Sequence, residues 1–466
     1  MTGVLATLIA YQVLMLGIGW WASRRNRDSE DFYLGGRRLG GLVAALSASA
    51  SSSSAWSLLG VSGAAFAWGL PAIWLIPATL SGFLINWYLV APRLSRMSRE
   101  NGALTLTEFI AGPRGDPARR TVMRLGAAVI LFSFTFYIAA QFQAAGKTFA
   151  SVLEVRQETA IVIGAAVVLA YVWLGGFWAA SVTDSVQGAL MALSALVLPL
   201  LAVAAVGGPQ ILLSGLLGDN AAGGGTWTGQ ATLPAAIGFV CGLFGIGLGY
   251  PGQPHVVNRF MAIRSPAAII RGRRIAIAWA VVIYVGMVVL GWCGRVLVEG
   301  LADGEQLLFV MATLLLPALL AGVMVSAILS AIMSTADSQL LVAASSVSHD
   351  LGGGPADRTG SLARARWVVL LVGGLAVVLA IYFPDDIFSR VLFAWQALAA
   401  AFGPLLIVTL WRGPVRPPWR IAALSLGFGL TVLLSLTVPS PGDWVERLMP
   451  LALASLLAWW GANSGR

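Results

Sequence analysis

Charge is scarce in this chain. Only 11% of its 466 residues are charged, and cysteine and histidine occur twice each. With 58% hydrophobic residues and a mean hydropathy of +0.83, it has too little polar surface for a soluble multidomain enzyme, so it belongs in a bilayer. The alternating ten-residue segments of a porin-type barrel are missing as well. Cys241 and Cys293 fall inside apolar segments, where a small buried thiol is expected rather than a disulfide or metal ligand. His255 and His349 stand alone, near helix ends expected to be cytoplasmic and to be satisfied there by backbone or carboxylate. There is no Cys/His cluster for zinc or iron, no nucleophile triad, no Gly-Lys-Ser/Thr phosphate loop and no ATP-binding cassette. Neither an enzyme nor a cofactor is expected. The first apolar stretch, Val4 to Trp21, lacks a preceding basic residue and an evident cleavage site, so it reads as a retained span.

What is present is a series of apolar runs, each long enough to cross about 30 Å of hydrocarbon. Thirteen spans are expected, near 2–22, 41–67, 69–92, 122–150, 158–177, 181–206, 232–257, 275–298, 308–348, 367–383, 388–411, 420–438 and 446–461. With the N-terminus outside, all but five of the 29 Lys and Arg residues fall on the cytoplasmic side, Arg259 among them. The exceptions are Lys147, Arg156, Arg295, Arg390 and Arg447. The positive-inside rule therefore orients the chain N-out and C-in. The net charge of +9 reports topology, not nucleic-acid binding.

Two spans look interrupted. Ser47 to Ala55 reads SASASSSSA, and Ser competes for backbone hydrogen bonds; such a run is either an unwound segment satisfied by protein or cavity, or a close packing seam. Gly245 to Pro254 reads GIGLGYPGQP, which either breaks the seventh span or kinks it. The breaks lie in the second and seventh spans, five crossings apart, and an odd offset inverts the second unit. Unwound segments at matching places in inverted halves point to a secondary transporter with its site at the midplane. The expected divisions are 1–40 (first span and loop), 41–206 (first repeat), 207–231 (extracellular loop), 232–411 (second repeat) and 412–466 (last two spans).

Asp184 and Asp337 are the only acids expected in or at the edge of apolar spans, where each costs roughly 2.5 to 3.5 kcal/mol at a helix centre. Asp184 reads as a site residue or as a helix N-cap. Ser326, Ser330, Ser334 and Ser338 recur every four residues and Asp337 falls on the same face as Ser334, an oxygen-lined stripe suited to a hard cation or to polar helix packing.

Several ordered motifs resemble the sodium:solute symporter family, most closely its bacterial sodium/proline branch: DFYLGGRRLG (Asp31 to Gly40), SASASSSSAW, GYPGQPHVVNRFMAI (from Gly249), AIMSTADSQLL (from Ala331), NWYLVAPRLSR, LTLTEFIAG, GGFWAASVTDSVQ and FAWQALAAAFGP. The resemblance implies an all-α polytopic membrane protein of 13 transmembrane helices, with a leucine-transporter-type 5+5 inverted-repeat core and two broken helices. It implies a sodium site at Ala50, Ser53, Ala331, Ser334 and Thr335, and a second cation site at Asp184, Ser334, Asp337 and Ser338. It implies a solute pocket at Tyr250 and Pro254, to which Ser54, Trp56, Gln141 and Ile246 are added as candidates; Gln143 and Trp395 are candidate pocket or gate residues. Three positions depart from the pattern: Ser52 replaces an acid, Ile246 a Trp and Asp337 a Ser.

The expected function is sodium-coupled uptake of a small zwitterion such as proline, or of a small carboxylate, by alternating access in a bacterial inner membrane. One positive charge moving inward across 100 mV releases about 2.3 kcal/mol, roughly a fifty-fold accumulation, so one coupling ion suffices. Sodium, the solute and lipid are the expected partners. The competing readings are proton coupling through Asp184 and Asp337, and a solute-sensing module of a signalling protein.

Overall fold

A computed structural model describes residues 2–23, 34–153, 155–174, 177–218, 225–351, 358–437 and 439–463. Arg24, Arg25, Arg27, the Asp31 to Tyr33 start of the first motif, the two glycines that open GGFWAASVTDSVQ, and Arg466 lie outside the described residues. Among the described residues there is no strand; Leu39 and Ile263 form one isolated bridge. Nine of the described helices are long and apolar enough to cross a membrane, and shorter apolar helices occur at Gly3–Ile18, Gln157–Ala170, Gly304–Leu315 and Arg366–Tyr382.

The expected ninth span, 308–348, is two elements. Leu307–Leu315 ends at an extended Leu316, and Ala318–Ser345 starts after Pro317. Pro317 has no N–H to donate, and it excludes the helical region for the residue before it. The segment between the expected third and fourth spans also contains helix, at Ala91–Glu100 and Leu106–Ala111.

Burial inverts the pattern of a soluble protein. In the serine-rich rod, Gly41–Trp68, 83% of the apolar window is inside the protein, and in Ile387–Arg412 89%, whereas for Pro417–Leu434 the share is 28%. Leucines such as Leu200, Leu371 and Leu433 point outward, because hydrocarbon welcomes them, while hydroxyls and carboxylates gather in the middle, where protein can satisfy them. The Gly41–Ala55 helix packs against Phe177–Val206, Pro266–Leu297 and Ala318–Ser345. The Leu233–Leu248 helix packs against Leu75–Leu84 and Trp444–Asn463, and the turn after it packs against Ile387–Arg412.

Candidate functional site

The first break is a single residue. Helix Gly41–Ala55 is helical up to Ser53, Ser54 has φ 53° and ψ −174°, and helix resumes from Ala55. Three of the freed groups find a side-chain oxygen. Ser54 Oγ accepts from the Trp56 N–H at 3.1 Å, Ser57 Oγ donates to the Ser54 carbonyl at 3.1 Å, and Gln141 Oε1 accepts from the Ala55 N–H at 3.1 Å. Tyr137 donates to Ser54 Oγ at 3.4 Å. The expected solute residues Ser54 and Gln141 therefore hold the break itself, and Gln141 Nε2 is left as a buried donor without an acceptor.

The second break runs from Gly249 to Gln253: one 3₁₀ turn, Tyr250–Gly252, then an extended Gln253 before Pro254–Ala262. Gly252 is needed there, because a Cβ would stand 2.5 Å from Ala399 Cα. Gln253 Nε2 donates to the carbonyls of Gly249 (3.2 Å) and Trp395 (2.9 Å), Trp395 Nε1 to that of Ile246 (3.1 Å), and Asn86 Nδ2 to that of Tyr250 (3.2 Å). Ile246 and Pro254 flank the break and are buried.

Aromatic rings fill the space between the breaks. The Tyr250 hydroxyl is 3.1 Å from that of Tyr284, and its ring lies 4.7 Å from Trp395 and 5.1 Å from Phe83. Trp56 lies 6.1 Å from Tyr284 and 5.7 Å from Phe388. Tyr137, Tyr284 and Phe83 were not expected here; a tyrosine in the middle of an apolar span was the available signal. His255 is not at a cytoplasmic end beside a carboxylate. It opens Pro254–Ala262 at the break, fully buried, with its ring edge-on to Phe134 and Trp395. His349 does meet a carboxylate, Glu108, at 3.0 Å.

Ala50, Ser53, Ala331, Ser334 and Thr335 are all fully buried where the lower half of the first broken helix meets Ala318–Ser345. The Thr335 hydroxyl donates to the Ser51 carbonyl at 3.1 Å, so hydroxyls of one rod face carbonyls of the other beside the break. An all-oxygen set of carbonyls and hydroxyls suits a hard monovalent cation.

One turn further down, Asp184 Oδ2 accepts from Ser47 (2.6 Å), Ser51 (3.2 Å) and Arg259 Nη2 (2.8 Å). The N-cap reading of Asp184 is wrong: its helix, Phe177–Val206, begins two turns earlier. Arg259 is not a loop residue either. It is 2% exposed, donates through Nε to Ser47 (2.7 Å) and through Nη2 to Ser338 (2.5 Å), and bonds the His255 carbonyl. Ser338 Oγ also stands 3.0 Å from Asp337 Oδ1. Asp184 Oδ1 and Asp337 Oδ2 are buried without partners. Two carboxylates thus face one guanidinium, a set that, fully ionised, holds room for one more positive charge.

Polar contacts tie the elements together at both ends. On one side Lys147 pairs with Asp303 (2.8 Å) and Glu305 (2.6 Å), Glu305 Oε1 accepts from the Phe388 N–H (3.0 Å), and Gln143 accepts from Arg390 (3.0 Å). On the other, Arg37 donates to the carbonyls of Met261 (3.1 Å) and Ala103 (2.7 Å), and Leu39 N–H to Ala262 (3.1 Å), tying the foot of the second broken helix to its surroundings. Below lies a collar in which Thr105 caps Leu106–Ala111 and Glu108 meets Arg119 at 2.7 Å.

The model of the sodium:solute symporter family matches residues 32–414. The sodium/proline symporter of Salmonella typhimurium is 34% identical over 449 residues, spanning 93% of this chain and 88% of that protein. The high-affinity proline transporter PutP of Bacillus subtilis is 34% identical over 453 residues, 95% and 94% of the two chains. The osmoregulated proline transporter OpuE of the same organism is 32% identical over 464 residues, 98% and 93%. Among solved structures, a Na+-coupled sialic acid symporter in its substrate-bound outward-open state superposes with a TM-score of 0.78 at 16% identity, over 99% of this chain and 97% of that one. Mhp1, a nucleobase-cation-symport-1 family transporter, superposes with a TM-score of 0.59 at 14% identity, over 92% and 94%.

Proposed function

Because the chain belongs to the sodium:solute symporter family, we propose that it imports proline, or another small zwitterion or carboxylate, with sodium bound at Ala50, Ser53, Ala331, Ser334 and Thr335. It is a multi-pass membrane protein that couples solute uptake to sodium. The fold is the inverted-repeat transporter fold of its solved neighbours. In this reading 41–206 and 232–411 are the two repeats, the chain crosses thirteen times, N-out and C-in, in a bacterial cell membrane. The thirteen crossings require that three of the shorter apolar helices and Trp444–Asn463 also span.

The observation that carries the reading is the Thr335 to Ser51 hydrogen bond, which supports a cation site joining a hydroxyl-bearing rod to carbonyls beside an unwound residue. Sodium there draws the two rods together, and its release toward the cytoplasm frees the solute held by Ser54, Trp56, Gln141, Ile246, Tyr250 and Pro254. The unpaired Gln141 Nε2 suits a carboxylate oxygen of the solute. Asp184, Ser334, Asp337 and Ser338 form the second cation site, which shares the Asp184 carboxylate with Arg259. Replacing a Ser by Asp337 also favours the alternative of proton coupling at this pair.

The test is uptake of radiolabelled proline, other amino acids, short carboxylates and pantothenate into proteoliposomes, with external sodium or choline at fixed pH. Sodium-dependent uptake of proline, lost in Thr335→Ala, is expected. Equal initial rates in choline would remove sodium from the mechanism.

A further inference from the structure

Away from the transport path, a cavity of about 740 Å³ opens on the outer surface between Ile387–Arg412, Trp444–Asn463 and the second broken helix. Its wall is apolar, including Leu248, Pro251, Ile407, Val408, Leu448 and Leu451. No acidic residue lines it, and its one charged lining residue, Arg412, sits at one end. There the Arg412 guanidinium stacks 3.8 Å from the Trp459 ring, and Arg93 stacks 4.2 Å from the Trp411 ring of the same mouth. A guanidinium held over an indole by cation–π attraction still carries the planar fork of N–H donors that matches a phosphate.

The groove has a length as well as a charge. From Arg412 to Gly403, both lining residues, the helix rises about 13 Å at 1.5 Å per residue. Half of a hydrocarbon core of about 30 Å is about 15 Å. The cavity is thus one leaflet deep, basic at the headgroup level and apolar to the midplane, within the 300–1,000 Å³ or so typical of ligand sites. Its deep end is walled by Pro251, inside the unwound turn of the second broken helix.

We propose that this groove holds one anionic phospholipid, its phosphate at Arg93 and Arg412 and one acyl chain running along Ile387–Arg412 to Pro251. The tail then buttresses the turn that must move during transport, so lipid class tunes the rate. Basic pockets between transmembrane helices on the Arg-rich side have the chemistry for such headgroups.

Lipid retention, read by native mass spectrometry of the purified full chain given equal phosphatidylglycerol and phosphatidylcholine, tests this independently of any solute. Wild type should retain phosphatidylglycerol roughly tenfold better, with 10 mM inorganic phosphate failing to displace it. Arg93→Gln with Arg412→Gln should abolish the preference, and Ala452→Phe, which fills the groove, should cut retention of both lipids. Equal retention in wild type, displacement by inorganic phosphate, or a preference surviving the double substitution would overturn the proposal. Should the double variant not purify, Arg412→Gln alone should at least halve the preference, and an unchanged preference there would overturn the proposal.

Discussion

The two broken helices solve the same problem with opposite chemistry. The first opens at Ser54 alone, and the groups it frees are met by hydroxyls and Gln141, so the break is built from side-chain oxygen. The second opens over several residues because Gly249, Pro251, Gly252 and Pro254 cannot carry a helix, and the carbonyls it frees are met by N–H donors of Gln253, Asn86 and Trp395. The first break is thus surrounded mainly by oxygen, the second by N–H donors and rings. Arg259 joins them, since it belongs to the lower half of the second broken helix yet spends its guanidinium on Ser47 and Asp184 beside the first.

Cutting that joint should have the largest effect. Asp184→Ala leaves a buried guanidinium unpaired, so a loss of about 3–5 kcal/mol is expected, read as a fall in thermal unfolding temperature in detergent. Adding Arg259→Met should recover most of the stability but no transport. If stability stays low in the pair, the ion pair is not what links the two breaks.

Next come the two residues that make the breaks. Gly252→Ala drives a methyl against Ala399 and should cost about 1–3 kcal/mol with uptake impaired. Ser54→Gly removes strain at a positive φ while losing the cap on Trp56, so stability should change by no more than about 1 kcal/mol. Equal destabilisation by both would mean that the breaks are not held differently.

Gln141→Ala and Gln253→Ala form the finer comparison. Each strands buried backbone groups at about 1–3 kcal/mol, but only Gln141→Ala should also raise the sodium concentration for half-maximal uptake, because it alone loosens the first break. The measurement is a sodium titration of initial uptake in both variants. A matching shift in Gln253→Ala would erase the division of labour.

The smallest effect is expected from the collar around Glu108, which serves as a control for both breaks. Burial raises the Glu108 carboxyl, but hydrogen bonds from His349 and the Leu104 N–H, with Arg119 nearby, win and hold it at about 2, below the usual 4.5. Its contribution is therefore full above about pH 4.5 and fades as pH falls toward about 2. Glu108→Gln should flatten unfolding temperature against pH in that window and leave sodium dependence unchanged at neutral pH.

Much of this was legible beforehand. The second break follows from local chemistry, since glycines and prolines at this spacing cannot carry a helix, and the Asp337 stripe follows from a four-residue period; the serine run, by contrast, stays helical through Ser53 and packs as a seam, so only the fold placed its break at Ser54. Arg259 was misplaced because positive charge in an apolar chain is usually a topology signal, and only the fold could supply the buried Asp184 that makes its burial tolerable. Tyr284 was missed for a related reason: one tyrosine in an apolar span carries no period, and its role exists only beside Tyr250. Pro317 was overlooked as a span divider because the leucines on both sides keep the hydropathy high.

The sequence by itself determined that the chain lives in a bilayer and that glycine and proline interrupt the seventh span, because these depend on hydropathy and backbone freedom read a few residues at a time. Tertiary structure alone decided that Arg259 pairs with Asp184 and meets Ser338 beside Asp337, and that rings of distant spans meet between the breaks. In a low-dielectric interior a charge or hydroxyl takes its meaning from whichever partner the packing brings within about 3 Å, and packing joins residues that are hundreds of positions apart.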